Sequence, residues 1–369
     1  MNLRIPGPTP CPPEVLAAMS APMVDHRGPE MADLIKRVSP RLKTAFSTDN
    51  EVLILTTSGT GGLEAAVVNT LSPGDHVLSV SIGNFGERLA QIAATYGARV
   101  TKLAFDNGQA ADPQRVAAAL EENPDVRAVL VTHNETSTGV TNPLQAIAEA
   151  VRPSGALLLV DAVSSLTSIP VQTDAWGLDV VVSGSQKGWM LPPGLAFVSV
   201  SPRGWEAYQS STMPRFYFDL GKHRDSAAKG QTPFTPAVSL FFALDVALDL
   251  LEAEGWESIY ARHQVCGDLT RSGVKRLGLE LLADEQFASN TVTAVKAPAG
   301  LDVSRLRTVL REQSGVVVGG GQADLSGKIF RIGHLGLVNE DDIVQTISAL
   351  QDALPLAGYT PVGAAIGNR

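Results

Sequence analysis

From about residue 51 to 200, short apolar runs alternate with stretches whose apolar residues recur every three or four positions. EVLILTTS, HVLSVSI, RVTKLAF, AVLVTHNE and ALLLVDAV have the character of strands. GTGGLEAAVVNTL, GERLAQIAATYG, DPQRVAAALEENP and PLQAIAEAVRPSG have helical spacing and fall between them. Asp112 followed by Pro113 is a helix-start signal. LDVVVSGSQ and LAFVSVS then follow as two strands with no helix between them. Unbroken Val/Leu/Ile runs separated by helices predict strands buried on both faces. The expected class is therefore α/β, a mostly parallel sheet with helices on each side.

Pro236–Gly255 predicts one long amphipathic helix, with Asp245 and Asp249 as a solvated stripe. Beyond residue 258 the pattern shifts to ARHQVCGDLTRSGVKRLG and VSRLRTVLREQSG as helices, TVTAVKA, VVVGGG and KIFRIGHLG as strands, and EDDIVQTISALQDAL as a last helix. A smaller C-terminal α+β domain is expected at 258–369, after a large domain at 21–257 and an N-terminal arm at 1–20. The arm has Pro at 6, 8, 10, 12 and 13, and the tail PLAGYTPVGAAIGNR is rich in Pro and Gly. Both are expected to be loose or draped on a surface.

Composition narrows the class. Of 369 residues, 44% are hydrophobic and 18% charged, so disordered, collagen-like and coiled-coil chains are excluded. Two cysteines, Cys11 and Cys266, exclude a disulfide scaffold or a Cys-rich metal cluster. The six histidines show no ligand spacing. A net charge of −9 without a basic block argues against nucleic-acid or membrane-surface partners. The N-terminus lacks the apolar segment of a signal peptide. GALLLV, and Val238–Leu251 broken by two aspartates, fall short of the ~18–20 apolar residues that span a bilayer. The expected place is the cytoplasm, with both thiols reduced.

Neither GxxxxGK[ST] nor GxGxxG occurs. Thr57–Gly62 (TSGTGG) lies between a strand and a helix, where backbone amides favour a phosphate, and Ser58 and Thr60 add hydroxyls. A plain tight turn is the alternative. Asp161 ends the strand ALLLV, facing the crevice where open α/β sheets bind ligands; the alternative is a cap. Lys187, in SGSQKG after DVVVS, is placed for a Schiff base with an aldehyde or as a solvated surface lysine. A phosphate cradle, a carboxylate and such a lysine together are the groups pyridoxal 5′-phosphate (PLP) requires.

With PGPTP at 6–10, TSGTGGLEAA at 57–66, THNETSTGV at 132–140, LLLVDAVSSL at 157–166, SGSQKGWMLPPG at 183–194 and FRIGHLG at 330–336, the chain resembles the class V, fold-type I PLP aminotransferases. It looks most like the alanine–glyoxylate and serine–glyoxylate (serine–pyruvate) group. The resemblance implies a seven-stranded, mostly parallel sheet plus the smaller C-terminal α+β domain, and a homodimer. It makes Lys187 the Schiff-base lysine and Asp161 the partner of the pyridine nitrogen. Ser58, Gly59, Thr60 and Gln186 would hold the phosphate, and Thr136 the phenolic oxygen. Phe85 would stack on the ring, where many relatives carry Trp; a core aromatic is the alternative. Arg331 would grip the substrate carboxylate and Gly7 would supply a backbone contact. The partner subunit's phosphate contact falls in KGQTPFTP, which has no Tyr, so Thr235 or Gln231 would serve. His133 could be an acid–base group but reads better as structural, and Trp189 as packing.

The implied activity is transamination of alanine or serine with glyoxylate or pyruvate, with Lys187 as proton shuttle. Alternatives are a phosphoserine aminotransferase using His26 and Arg27, and a non-catalytic interaction subunit like the soluble hydrogenase small subunit. A cysteine desulfurase is disfavoured, because Cys266 sits in a helical pattern and Cys11 in the arm.

Overall fold

The structure is a computed structural model, and it describes residues 1–360. Thirteen strands run in chain order: β1 Asn2–Arg4, β2 Val52–Thr56, β3 His76–Ser81, β4 Arg99–Ala104, β5 Val126–Thr132, β6 Asn134–Glu135, β7 Val140–Thr141, β8 Leu157–Asp161, β9 Val180–Gly184, β10 Leu195–Val200, β11 Val292–Lys296, β12 Val316–Gly320 and β13 Ile329–Gly333. Seven form one sheet in the order β2-β10-β9-β8-β5-β3-β4. The pairs β8–β9, β5–β8, β3–β5 and β3–β4 are parallel, and β10 lies antiparallel to β9 and β2. β10 is the strand that follows β9 with no helix between, which is why it reverses.

β3, β8, β9, β10 and all of β5 but Arg127 are buried on both faces, as their Val/Leu/Ile runs predict, whereas the edge strand β4 leaves Arg99, Lys102 and Ala104 exposed. In β5, Val129 and Val131 point into one apolar cluster, with the helices Pro29–Phe46, Pro113–Glu122, Leu144–Val151 and Val238–Glu254. Ala128 and Leu130 point into the other, with Gly59–Thr70, Asn84–Thr95 and Pro202–Ser210. Asp112 caps Pro113–Glu122 by accepting from Gln114 N, the predicted start.

A second sheet has the order β1-β12-β13-β11 and packs against Val303–Ser314 and Glu340–Leu356. The N-terminal segment is thus not loose. β1 pairs in parallel with β12, aligning Leu3 with Val317. Arg4 is almost fully buried and donates to the Leu337 carbonyl. The tail also departs from expectation where it is described: Pro355 and Leu356 finish the last helix, and the Tyr359 hydroxyl donates to the Gly278 carbonyl. The remainder, 361–369, lies outside the described residues.

Asp249 is solvated as expected, but Asp245 is largely covered and both are paired. Arg37 and Arg41 from Pro29–Phe46 bond Asp245, Arg41 also reaches Asp249, and together they clamp two helices. No described helix is long and apolar enough to cross a membrane.

Candidate active site

At the carboxyl ends of the parallel strands the chain gathers its unusual polar groups. β8 ends on Asp161, 4% exposed, whose Oδ1 accepts from Val163 N at 2.9 Å. Burial pushes its carboxyl up to about 6, opposed by the Val163 amide and by Lys187. β9 ends on Gly184, and the turn beyond it is pinned by side-chain hydrogen bonds. Ser185 Oγ donates to the Pro192 carbonyl and Trp189 Nε1 to Ser183 Oγ. Trp189 is packing, wedged between Phe46 and Phe197. The turn presents Lys187, 9% exposed, whose Nζ donates to the Pro6 carbonyl at 2.6 Å. Burial brings this amine down to about 8, with Asp161 opposing the fall and Arg331 adding to it.

The N-terminal segment closes the other side. Thr9 N donates to the Gln186 carbonyl, and Thr9 Oγ1 to the Lys187 carbonyl at 2.9 Å. Gly7 has φ +135°, and a Cβ there would stand 2.7 Å from Lys187 Nζ. Only glycine fits both the conformation and the approach. Ile5 and Pro6 cross Gly333 and Gly319, where a Cβ would meet them at 2.2 and 3.1 Å. One short segment therefore ties the Lys187 turn to the strand carrying Arg331. Arg331, on β13, is 6% exposed; Nε donates to the Gly320 carbonyl and Nη1 to the Thr136 carbonyl. Burial lowers its guanidinium to about 10.

The helix Gly59–Thr70 starts beside this cluster. Its N-cap, Ser58, is exposed and makes no side-chain cap bond. Buried Gly59 packs on Val163, whose Cγ2 would be 2.8 Å from an added Cβ. Thr60 is half-buried. Gln186 Oε1 is buried without a hydrogen-bond partner among the described residues. Phe85 is half-buried at the start of Asn84–Thr95, with the Arg88 guanidinium 4.7 Å from its ring centre.

Ser58, Gly59, Thr60, Asp161, Gln186, Lys187, Gly7, Thr136 and Arg331 thus lie along connected elements, with Phe85 at the adjoining helix start. Thr235 does not join them. It is exposed ahead of Val238–Glu254, and no hydrogen bond links it to the cluster among the described residues. Arg27 donates to Gln231, and His26 sits 4.0 Å from Asp25, both away from Arg331's contacts. His133 is buried with its pKa brought down to about 4, and its ring meets Trp176 edge-on. The ring is neutral, and its Nδ1 has no hydrogen-bond partner among the described residues. Cys266 is buried in Trp256–Arg276 with its thiol pushed up to about 11, the opposite of an activated nucleophile.

Sequence reasoning missed four contributors. The Pro6 carbonyl and Thr9 were inside the quoted PGPTP, but a backbone acceptor leaves no compositional signal. Arg88 acts electrostatically on Asp161 and Lys187. Glu135, inside THNETSTGV, is 0% exposed and acts electrostatically on the same groups.

The class V aminotransferase profile matches residues 2–334. The chain belongs to the class V aminotransferases. It is similar to the soluble hydrogenase small subunit of Synechococcus sp. (strain PCC 6716), 48% identical over 97% of this chain and 94% of that one. It is 36% identical to the serine–glyoxylate aminotransferase of Methylorubrum extorquens over 96% of this chain and 90% of that one. The structure of alanine–glyoxylate aminotransferase from Nostoc sp. superposes with a TM-score of 0.92 at 32% identity, covering 95% and 94% of the two chains. As a member of this family the chain is a PLP-dependent aminotransferase acting between an amino acid and a 2-oxo acid. The donor set suits the cofactor: an orphaned buried amide oxygen at Gln186, free helix-start amides at Gly59 and Thr60, and a buried amine facing a buried carboxylate.

Proposed function

We propose that the aminotransferase passes the amino group of a small neutral donor, alanine or serine, to glyoxylate or pyruvate. When bound, PLP supplies an aldehyde carbon for amine exchange and an electron-withdrawing pyridine ring. Ser58, the Gly59 and Thr60 amides and Gln186 hold its phosphate, Thr136 holds its phenolic oxygen, and Phe85 covers its ring. The Asp161 carboxylate keeps a proton on the pyridine nitrogen. Lys187 Nζ, lowered toward neutrality, would take the proton from the donor Cα and deliver it to the former aldehyde carbon on the other side of the transferred nitrogen. Arg331, held by two carbonyls, offers its remaining guanidinium edge to the substrate carboxylate, and Gly7 lets the backbone come close.

The observation that carries the reading is the stitching of Arg331 and Lys187 by residues 5–9, which fixes carboxylate grip and proton shuttle on one frame. A small neutral donor is supported by the similarity to a serine–glyoxylate and an alanine–glyoxylate aminotransferase. We also infer a cytoplasmic homodimer, divided near residue 257, with Thr235 reaching the partner's phosphate; exposed Phe216 and Tyr217 flank that segment.

Half-reactions test the reading by following the visible absorption of the bound cofactor with Ala, Ser, Asp and phosphoserine in turn. Alanine or serine should react fastest. Faster reaction with Asp or phosphoserine would discard the donor assignment. Conversion by the Lys187→Ala variant at the wild-type rate would discard the shuttle.

A further inference from the structure

Glu135 is a buried carboxyl group that the reading above does not use; burial raises its pKa, opposed by the Ser137, Gly86 and Phe85 donors that bond it. It lies on β6, is 0% exposed, and has no cationic partner within hydrogen-bond range among the described residues. Its Oε2 accepts from Phe85 N at 2.9 Å and Gly86 N at 3.1 Å. Its Oε1 accepts from Ser137 N at 3.1 Å and Ser137 Oγ at 2.6 Å. Ser137 Oγ in turn accepts from Asn84 N at 3.0 Å.

The helix Asn84–Thr95 has Gly83 as N-cap and so no cap of its own. Its first three amides are instead taken from outside by Glu135 and Ser137. Glycine at 83 makes room, since a Cβ there would stand 2.5 Å from Ser137 Oγ and 2.6 Å from Glu135 Cγ. A buried carboxylate at a helix start is stabilised by the free amides and the helix dipole together. Between Glu135 and Ser137 lies Thr136, whose carbonyl receives Arg331 Nη1 at 2.9 Å. The two neighbours of that carbonyl are therefore pinned to the helix that bears Phe85.

We propose that Glu135 is a positioning residue: by capping Asn84–Thr95 in trans it sets Phe85 and the Thr136 carbonyl that aims Arg331, coupling the ring-covering face to the carboxylate grip. The inference rests on Phe85 and Arg331 having the roles proposed above. Its charge also acts on the cluster, since Asp161, Lys187 and Arg331 all feel it. A side chain with four donors converging on it, buried beside three ionisable groups, is more than a fold contact.

The test uses the holoenzyme of wild type, Glu135→Gln, Ser137→Ala and Arg331→Leu. In Glu135→Gln an amide NH2 must face N–H donors, so the loop and the helix start part. Donor KM should rise about tenfold with a smaller fall in kcat, and the visible circular dichroism of the bound cofactor should weaken. Ser137→Ala keeps the carboxylate and loses two of the bonds, so it should move both readouts the same way, about threefold in KM. Lower thermal stability with unchanged KM and dichroism in both variants overturns the proposal. If Glu135→Gln does not fold, Ser137→Ala decides alone by the same two readouts. Arg331→Leu separates the levels. An unchanged donor KM there sinks the site reading itself, whereas a raised KM there with none in Glu135→Gln sinks only the coupling.

Discussion

The two ends of the seven-stranded sheet both bury charge, and they do it differently. At the amino end of β9, Asp179 is 3% exposed, and its oxygens accept from Leu158 N, Ser201 Oγ and Arg203 Nη1. Nearby, buried His76 uses one ring nitrogen on Asp125 and the other on Thr101. At the carboxyl end Asp161 has one amide, Lys187 one carbonyl, and Gln186 Oε1 nothing. Asp179 and His76 are satisfied within the fold, whereas Asp161, Lys187 and Gln186 keep bonding capacity that a ligand can take up. Asp161→Asn against Asp179→Ala should split these roles most widely. The first should cut the holoenzyme's kcat/KM about 10³-fold while leaving the cofactor-free fold as stable or more so. The second should cost about 3 kcal/mol in denaturant unfolding, because Arg203, Ser201 and Leu158 N lose their acceptor, with activity per folded molecule intact. The sign for Asp161 follows from linkage. Its carboxyl titrates near 6 in the fold, above the ordinary 3.8, so the fold binds more protons between those values. Its contribution is present at low pH and lost as pH rises through 6, on the order of 2–3 kcal/mol. The stability gap between Asp161→Asn and wild type should therefore widen from pH 4 to pH 7. A gap that is flat with pH, or an Asp179→Ala protein as stable as wild type, would erase the contrast between the two ends.

Lys187 sharpens the same contrast kinetically. Its amine is brought down to about 8 by burial, from an ordinary 10.5. Only the neutral amine attacks an acylating reagent. In cofactor-free protein its modification rate, read by peptide mass mapping, should climb tenfold per pH unit below 8 and level off above it. A Lys187 rate that still climbs past pH 9 would mean that the site leaves the amine untuned.

Much of this was written in local pattern. The two-faced burial of β5 and β8 follows from runs such as AVLV and LLLV, which no amphipathic strand would carry. Asp161, Lys187 and Ser58 were legible because each is a polar residue abutting such a run. What local pattern does not carry is long-range pairing. β1 is three residues, NLR, followed by prolines, and its partner β12 lies more than 300 positions on. Hence the segment read as a loose arm. The helix Pro29–Phe46 bears Pro40 in its interior, which interrupts its helical signal, so local pattern gives the arginines that clamp Asp245 and Asp249 no face to belong to. Glu135 is similar: only the fold brings the Phe85 and Gly86 amides to it.

The finest test of the contrast compares two helix starts. At the back of the sheet Ser201 caps Pro202–Ser210, accepting from Gly204 N at 3.1 Å and donating to Asp179. At the front Ser58 heads Gly59–Thr70 and caps nothing. The same residue type in the same position should therefore matter in two ways. Ser201→Ala loses a working cap and should cost about 1 kcal/mol of stability, with cofactor retention unchanged. Ser58→Ala loses no bond in the fold, so stability should stay within about 0.5 kcal/mol. What it loses is one hydroxyl from the phosphate turn, and cofactor dissociation, followed by dialysis and the visible absorption, should quicken about tenfold. A Ser58→Ala protein that is destabilised yet keeps its cofactor would show that this helix start is an ordinary cap. The phosphate would then have to be held by Gln186 and the Gly59 and Thr60 amides without it.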